Sequence, residues 1–241
     1  MATIDEIAPD VFRITVYNAD NDFQFSSFLV KDEAPLLYHT NLRRVFPQVR
    51  EAVARILPPE TIRYIGFSHY EPDECGAMDE WLALAPDAQP LCSLVGARVM
   101  LADWCERPAR VLGAEERLDT GRHRFRTIGT AHVPHGWDAS LLFEETAGTL
   151  FVSDLFGHGG DGAAITEADI VGRADAYTRR QLAGPMAHAM PYTPRTGPIL
   201  ESLAALAPTT LATMHGTSFH GDGAAAIRDL AVMLKDTIGA P

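Results

Sequence analysis

The sequence contains few cysteines, and they lie far apart. Only three occur among 241 residues, at Cys75, Cys92 and Cys105. No CxxC pair is present, so a thiolate zinc site of the usual spacing is excluded. Three dispersed thiols also do not form the disulfide framework of a small secreted domain. We therefore expect a reducing compartment, the cytoplasm.

Long apolar segments and positive charge are also scarce. No uninterrupted apolar run approaches the roughly 20 residues of a membrane-spanning helix, and the N-terminus lacks the apolar core of a signal peptide. Lys and Arg number 20 against 32 Asp and Glu, which gives a formal net charge of -12. Nucleic acids and anionic membrane surfaces require a basic face, so we expect neither as a partner.

The hydrophobic pattern alternates between strand-rich and helical regions. It predicts strands over 11–17, 25–31, 36–39, 64–67, 90–92, 110–112, 124–128, 141–144, 150–153 and 210–214. It predicts helices over 45–57, 74–84, 95–104, 168–189, 197–206 and 223–238. No repeat or Pro/Gly-rich linker divides the chain. This order indicates one α/β domain over residues 1–241, with two packed sheets and helices on their outer faces.

Three potential metal ligands lie within five residues, directly after the predicted buried strand 64–67. His69, Glu71 and Asp73 occupy alternate positions, and Pro72 disfavours helical geometry at Glu71. In an extended segment, residues two apart project to the same side, so the three side chains can converge on one point. This segment therefore predicts one half of a metal site.

Candidates for the other half share the placement of His69. His135, Asp154 and His215 each follow an apolar run and precede a loop. Taken singly, such a residue is more often a hydrogen-bonded histidine or a capping aspartate. Together with the cluster at 69–73, the three indicate a site at the ends of several strands, where functional loops are commonly held by a rigid scaffold.

These residues carry a resemblance to a known family. The order His-x-Glu-x-Asp, followed by His, Asp and His at strand ends, resembles the metallo-β-lactamase fold. It is most similar to the diiron branch, which includes the diiron domain of flavodiiron proteins and stand-alone oxygen-binding diiron proteins. The segments LFVSDLFG (150–157), MPYTP (190–194) and MHGTS (214–218) are also similar to that branch. The likeness extends from about residue 25 to about residue 220.

The resemblance implies a fold and a set of ligands. The fold is an αββα sandwich, and the cofactor is a pair of iron ions, with manganese or zinc as alternatives. One iron would be held by His69, Glu71 and His135, and the second by Asp73 and His215, with Asp154 bridging the two. Zinc hydrolases of this fold have His where this chain has Glu71. A carboxylate there hardens the site and favours iron or manganese over zinc, although zinc also accepts carboxylates.

Two positions depart from the family pattern. The diiron motif usually continues Asp-His, and here Glu74 follows Asp73. Glu74 either ligates the second metal or points away and leaves an open position. The fold often has Asp-Thr where this chain has His39-Thr40. His39 is therefore either hydrogen-bonded to a ligand or an ordinary core histidine.

The resemblance implies a non-haem diiron protein that binds or reduces O2 or NO, with electrons from an external donor. The family tends toward homodimers, which we expect here too. The chain ends at Pro241, about 20 residues after the last similar segment, so we expect neither a flavodoxin domain nor FMN. One alternative is a dinuclear-metal hydrolase that activates water. Another is an oxygen-sensing module that signals to a partner protein.

Other signals are interpreted as structural. The GxGxxG match at 157–162 predicts a flexible loop rather than a nucleotide site, because a single match is weak. Cys75 is expected to be a buried thiol. Tyr70, Trp137 and Phe156 flank ligands and either wall the site or only pack against neighbouring residues.

Overall fold

Two β-sheets pack face to face, and helices cover both outer surfaces. The computed structural model describes residues 1–113 and 116–239. The first sheet has the strand order β1-β2-β3-β4-β5-β6, and the second has β11-β13-β12-β10-β9-β8-β7. Both sheets are mixed, since β4, β5 and β6 are parallel, as are β10 and β12, while the remaining pairs are mostly antiparallel. This is the expected αββα sandwich.

The first sheet comes from the first part of the chain. Its strands are β1 (Thr3–Ala8), β2 (Val11–Asn18), β3 (Phe23–Val30), β4 (Leu36–Tyr38), β5 (Tyr64–Gly66) and β6 (Gln89–Leu91). The helices on this side are α1 (Phe46–Ala54), α2 (Pro72–Cys75) and α3 (Met78–Leu84), with 3-10 turns at Arg43–Val45 and Pro59–Thr61 and a π-helical turn at Gly96–Met100.

The second sheet comes from the rest of the chain. Its strands are β7 (Leu118–Asp119), β8 (Arg124–Gly129), β9 (Ser140–Glu144), β10 (Thr149–Ser153), β11 (Ile165–Thr166), β12 (Thr210–Thr213) and β13 (Ser218–His220). The helices on this side are α4 (Val171–Leu182), α5 (Thr196–Ala204) and α6 (Gly223–Ile238).

The buried apolar residues of the described chain form three clusters that correspond to the interfaces between layers. One cluster lies between the first sheet and its helices and includes Leu37 and Trp81. Another lies between the second sheet and α4 to α6 and includes Leu150 and Leu230. The third joins the two sheets, where Phe28 meets Phe151 at a centroid distance of 5.3 Å. Burial of apolar area at all three interfaces drives the layers together.

Several predicted elements differ from the observed ones. The helix expected over 74–84 is two helices, α2 and α3, and those expected over 95–104 and 168–189 are shorter. Residues 110–112 form no strand, and only Arg110 pairs, in an isolated bridge with Leu91. Four short or edge strands were not predicted, namely β1, β7, β11 and β13. Such strands bury little apolar surface, so they produce a weak alternation in the sequence.

The directions of the strands determine where the candidate ligands gather. β8 is antiparallel to β9, and β9 is antiparallel to β10, so β8 runs in the same direction as β10 and β12. The residues that follow these three strands therefore lie at one edge of the second sheet. Among the described residues, no helix combines the length and the apolar composition needed to cross a bilayer.

Candidate metal centre

The loop after β5 presents Glu71 from an extended residue and Asp73 from a helical turn. Glu71 has φ -137° and ψ 158°, as expected for a residue before proline. Pro72 then begins α2, so the expectation that Asp73 continues an extended segment is wrong. Proline is well suited to the first turn of a helix, since its fixed φ is helical and its missing N–H has no helical partner there. The helical turn, and not the alternation of side chains along a strand, directs Asp73 and Glu74 toward the other candidate ligands.

A β-bulge at the end of β10 directs Asp154 toward the loop after β5. The pairing of β10 with β12 shifts register between Phe151 and Ser153, and Ser153 has φ 53°. A left-handed backbone conformation is energetically unfavourable for serine, and residues in such conformations concentrate at functional sites. The bulge turns the chain so that Asp154 leaves the sheet toward the loop after β5.

His215 follows β12 and is fixed through its ring Nδ1. This atom lies 2.8 Å from the backbone carbonyl oxygen of Gln24, so Nδ1–H donates and Nε2 is left free to face the carboxylates. Gly216 comes next with φ 82°, and a Cβ there would lie within 2.5 Å of the ring of His158. His158 in turn accepts a hydrogen bond from the backbone N–H of Thr217. His158 therefore supports the loop that carries His215.

One group of candidate ligands surrounds the side of the centre nearest β5. Nε2 of His135 lies 3.1 Å from Oε1 of Glu71 and 3.2 Å from Oδ2 of Asp154. Nε2 of His69 lies 3.5 Å from the same Asp154 oxygen and 4.0 Å from Oε1 of Glu71. Donor atoms so close to one another can share a single cation.

A second group lies on the other side of Asp154. Nε2 of His215 is 3.2 Å from Oδ2 of Asp73 and 3.1 Å from Oδ1 of Asp154. Asp154 therefore turns one oxygen toward each group. Asp73, Glu74 and His215 also form a set whose donor atoms all lie within 4.8 Å of one another. The structure thus brings together all seven residues singled out from the sequence.

Glu74 is fully buried and points into the centre. Its Oε2 lies 3.9 Å from Nε2 of His69, and donor atoms of Glu74 belong to the cation-sized groups on both sides of Asp154. Neither carboxylate oxygen has a hydrogen-bond partner within the described part of the chain. Of the two orientations left open by the sequence, the inward one is observed.

The donor atoms fit cations. Nε2 of His69, Nε2 of His135, Oδ1 of Asp154 and both Glu74 oxygens are buried without aligned hydrogen bonds to other described residues. Burying such groups unpaired is costly, and buried charges are normally paired or bound to a metal. Four carboxylates converge here with three imidazoles, and two divalent cations would balance the four negative charges.

The ionisation of these groups reflects their crowding. Burial raises the pKa of Glu74 well above its usual value, and the neighbouring carboxylates of Asp154, Asp73 and Glu71 raise it further. Burial also lowers the pKa of His69. Burial opposes the charged form of His215 as well, but the adjacent Asp154 and Asp73 outweigh it and raise the His215 pKa to about 10.

A buried polar network supports His69 from behind. Oγ of Ser68 lies 3.1 Å from Nε2 of His39 and 2.7 Å from Oγ of Ser153. The same Ser68 oxygen lies 3.0 Å from Nδ1 of His69. His39 is fully buried and reaches a candidate ligand only through Ser68, so it is not itself hydrogen-bonded to one.

A cavity of about 190 Å³ opens beside the centre. The sequence left open whether Tyr70, Trp137 and Phe156 wall the site. Phe156 lines the cavity, whereas Tyr70 and Trp137 do not and are instead 42% and 58% exposed. The aromatic wall comes from Phe23 and Tyr177, which sequence reasoning missed. The ring of Phe23 lies 4.4 Å from that of His215 and 5.4 Å from that of Tyr177. No local pattern marks either residue, because they meet only through the tertiary fold.

Comparison with known families gives a match that covers most of the chain. The family described as ODP family beta lactamase matches residues 23–216. Among curated proteins, putative diflavin flavoprotein A 1 of Nostoc sp. (strain PCC 7120) is 33% identical over 142 residues, 57% of this chain and 24% of that protein. Rubredoxin-oxygen oxidoreductase of Megalodesulfovibrio gigas is 24% identical over 204 residues, 82% of this chain and 49% of that protein.

Solved structures share the fold. Rubredoxin oxygen:oxidoreductase from Desulfovibrio gigas superposes with a TM-score of 0.80 at 17% identity, covering 95% of this chain and 61% of that one. Fragment 1–254 of putative diflavin flavoprotein A 5 from Nostoc sp. PCC 7120 gives 0.78 at 16% identity, covering 98% and 96%. The aligned region spans about a quarter to a half of the curated relatives.

Proposed function

Because this chain belongs to the ODP family of beta-lactamase-fold proteins, we propose that it is a non-haem diiron protein that binds or reduces O2, with NO as the alternative diatomic. The observation that carries this proposal is the carboxylate-rich donor set arranged on both sides of Asp154. Two histidines and a carboxylate that leave positions open are typical of non-haem iron sites for oxygen chemistry. Similarity to a rubredoxin-oxygen oxidoreductase supports the same reaction class.

The donor groups suggest which residues hold each metal ion. His69, Glu71 and His135 would hold one iron, and Asp73, Glu74 and His215 the other, with one oxygen of Asp154 on each. Two iron ions held in this way would supply one-electron redox chemistry to a diatomic ligand.

The surrounding residues orient the ligand side chains and favour uncharged molecules beside the centre. The backbone carbonyl of Gln24 and the hydroxyl of Ser68 fix the rings of His215 and His69, which directs both Nε2 atoms inward. The mostly apolar cavity beside the centre offers an uncharged diatomic a favourable environment. A phosphodiester, which is negatively charged, would lose its hydration there without gaining paired groups, which disfavours a phosphodiesterase among the hydrolase alternatives.

Electrons for sustained reduction would come from an external donor. The name of one relative, rubredoxin-oxygen oxidoreductase, pairs oxygen with the protein rubredoxin, which supports a donor-dependent reaction. The homodimer expected from the sequence stays a prediction. Measuring O2 consumption with an artificial donor would separate reduction from binding alone.

The test is metal analysis of the full chain expressed in iron-replete medium, with absorption spectra of the reduced protein before and after O2. We expect about two irons per chain and an oxygen-dependent absorption band. Glu71→His, which creates the His-x-His motif of zinc hydrolases, should shift the bound metal from iron toward zinc. Glu51→His, on the exposed face of α1, should not. Two zinc ions in the unaltered protein, with ester, lactone or phosphodiester hydrolysis, would contradict the proposal.

A further inference from the structure

The cavity beside the centre extends well beyond the candidate ligands. One end is bounded by Asp154 and His215, and the rest lies between α4, α6 and the segment 186–190. Its far walls are formed by Ala174 of α4 together with Leu230 and Leu234 of α6. All three are almost completely buried.

The size of this cavity exceeds what a diatomic needs. Its volume is about 190 Å³, part of which adjoins the candidate ligands where the metal ions would lie. For comparison, an engineered apolar cavity of about 150 Å³ lined by Leu, Ile and Phe stays dry and binds benzene or xenon. The cavity therefore has room for a ligand of ring size, which is larger than any diatomic molecule.

The far part of the cavity lacks groups that would hold a charged ligand. Its polar lining residues away from the candidate ligands are Tyr177, Thr178 and Gln181, among the residues the structure describes. The amide of Gln181 donates to the Tyr177 hydroxyl at 3.1 Å, so these two groups partly satisfy each other. No Lys, Arg, Asp or Glu of the described chain lines this part. The lining therefore selects uncharged, mainly apolar molecules.

Access is available from the loop side. Met186 lines the cavity and is 56% exposed, and Met190 lies deeper in the same segment. Methionine side chains are unbranched and flexible, so they adapt to ligands of different shape.

We propose that the cavity between α4 and α6 is a binding site for an uncharged apolar molecule of up to about the size of one aromatic ring, directly beside the metal centre. This inference deepens the proposed diiron function and rests on it for its consequence. A ligand in the cavity competes with O2 for the space next to the metals, and the cavity holds dissolved O2 when that ligand is absent.

The direct test is diffraction from crystals of the full chain, as purified, under xenon pressure. We expect xenon between Ala174, Leu230 and Leu234. Calorimetry with benzene as the probe should show saturable binding with a Kd in the millimolar range or below, and benzene should slow the reaction of the reduced, iron-loaded protein with O2.

Matched variants test the location. Ala174→Phe fills the cavity from α4 and should abolish binding of both xenon and benzene. Ala176→Phe, the same change on the exposed side of α4, should leave binding unchanged. Because Ala174 is buried, Met190→Phe provides a second filled cavity at a less constrained position outside any helix and should weaken benzene binding at least tenfold. Thermal unfolding verifies that each variant is folded.

Some results would overturn the inference. Ordered water throughout the cavity, absence of xenon there, or benzene binding that survives both filling variants would each contradict it. These outcomes are distinguishable from failure of the proposed function. If the protein reacts with O2 as a diiron centre but binds neither probe, the proposed function stands and the cavity site is wrong. If the protein binds both probes but holds no iron, the cavity site stands and the proposed function is wrong.

Discussion

Nδ1 of His69 lies 3.0 Å from the hydroxyl oxygen of Ser68. His69 can present Nε2 to a metal only if Nδ1 carries the proton, and the Ser68 oxygen is positioned to accept a hydrogen bond from Nδ1–H. Ser68 in turn contacts Nε2 of His39 and Oγ of Ser153. The hydroxyl thus joins β4, β5 and β10 directly behind the centre. Residues that orient a ligand in this way commonly affect metal affinity as much as activity.

Removing the Ser68 hydroxyl should weaken metal binding. We expect Ser68→Ala to lower the affinity for iron at the His69 side by about 10- to 100-fold, as is common for groups that orient a ligand. Competition with a chelator measures this affinity. Ser27→Ala is a matched control, because the buried Ser27 hydroxyl has no hydrogen-bond partner among the described residues. Equal affinities for the two variants would contradict the assigned role of Ser68.

Asp154 should couple the two metal positions. Its two oxygens lie 3.2 Å from Nε2 of His135 and 3.1 Å from Nε2 of His215. Asp154→Ala should therefore lower the affinity for both metal ions together. His135→Ala should lower mainly the affinity for the ion held by His69, Glu71 and His135. Metal titration followed by mass spectrometry of the intact protein gives the stoichiometry of each. Retention of one tightly bound metal in Asp154→Ala, at the level seen in His135→Ala, would argue against bridging.

Glu74 gives the sharpest test of the ligand set. Its carboxylate is buried and unpaired, so Glu74→Gln should lower the affinity of the second metal at least tenfold, or about 1.4 kcal/mol. The same change should raise or preserve the melting temperature of the metal-free protein, because it removes a group whose charged form is penalised by burial. Unchanged metal affinity would show that Glu74 is not a ligand.

Metal binding should release protons at neutral pH. In the metal-free protein the His215 pKa is about 10, so the ring is protonated at pH 7 and must lose that proton to ligate. Glu74, whose pKa is raised, should release a further proton if it ligates. Calorimetry in buffers of different ionisation enthalpy counts these protons. The number of protons released on metal binding should be smaller in Glu74→Gln, and it should fall as the pH approaches 10.

The same His215 pKa affects the stability of the metal-free fold. The His215 pKa in the folded protein lies above the unfolded value of about 6.5. The pairing of His215 with Asp154 and Asp73 therefore stabilises the metal-free fold fully below about pH 6.5. That contribution should be lost progressively as the pH rises toward 10. Urea unfolding of chelator-treated protein at several pH values measures it, with His215→Gln as the variant that should lack this dependence.

Asp32 should stabilise the fold independently of metal. It accepts hydrogen bonds from the backbone N–H groups of Arg122 and His123 and from the hydroxyl of Thr120, linking the two sheets. Burial raises the Asp32 pKa, but these hydrogen bonds outweigh it and lower the pKa to about 2. Asp32→Asn should cost about 1–3 kcal/mol of unfolding free energy in urea. In the unaltered protein this contribution is present above about pH 4 and lost as the pH falls toward 2.

The sequence was most informative where a ligand type follows a buried strand. His69, Asp154 and His215 could be located because an apolar run precedes each, and their convergence follows from strand direction. The pattern was less informative about Asp73, whose position depends on the short helix that Pro72 begins. It could not decide the orientation of Glu74, because that depends on the space left by residues from distant segments.

Other features required the tertiary structure altogether. The cavity combines Phe23 with residues of α4 and α6 that lie more than a hundred positions away, so no local pattern indicates it. The single-domain organisation and the absence of nucleic-acid partners stay predictions. The sequence left His39 either hydrogen-bonded to a ligand or in the core. The structure buries it, and its contact with His69 runs through Ser68, a relationship that residue spacing does not reveal.

Anomalous diffraction at the iron absorption edge tests the central claim most directly. Crystals of the full chain, grown from protein expressed with sufficient iron, should show two anomalous peaks per chain. One peak should lie among His69, Glu71 and His135, and the other between Asp73 and His215, with Asp154 between them. A single peak, peaks only at the zinc edge, or no peak at these residues would contradict the account.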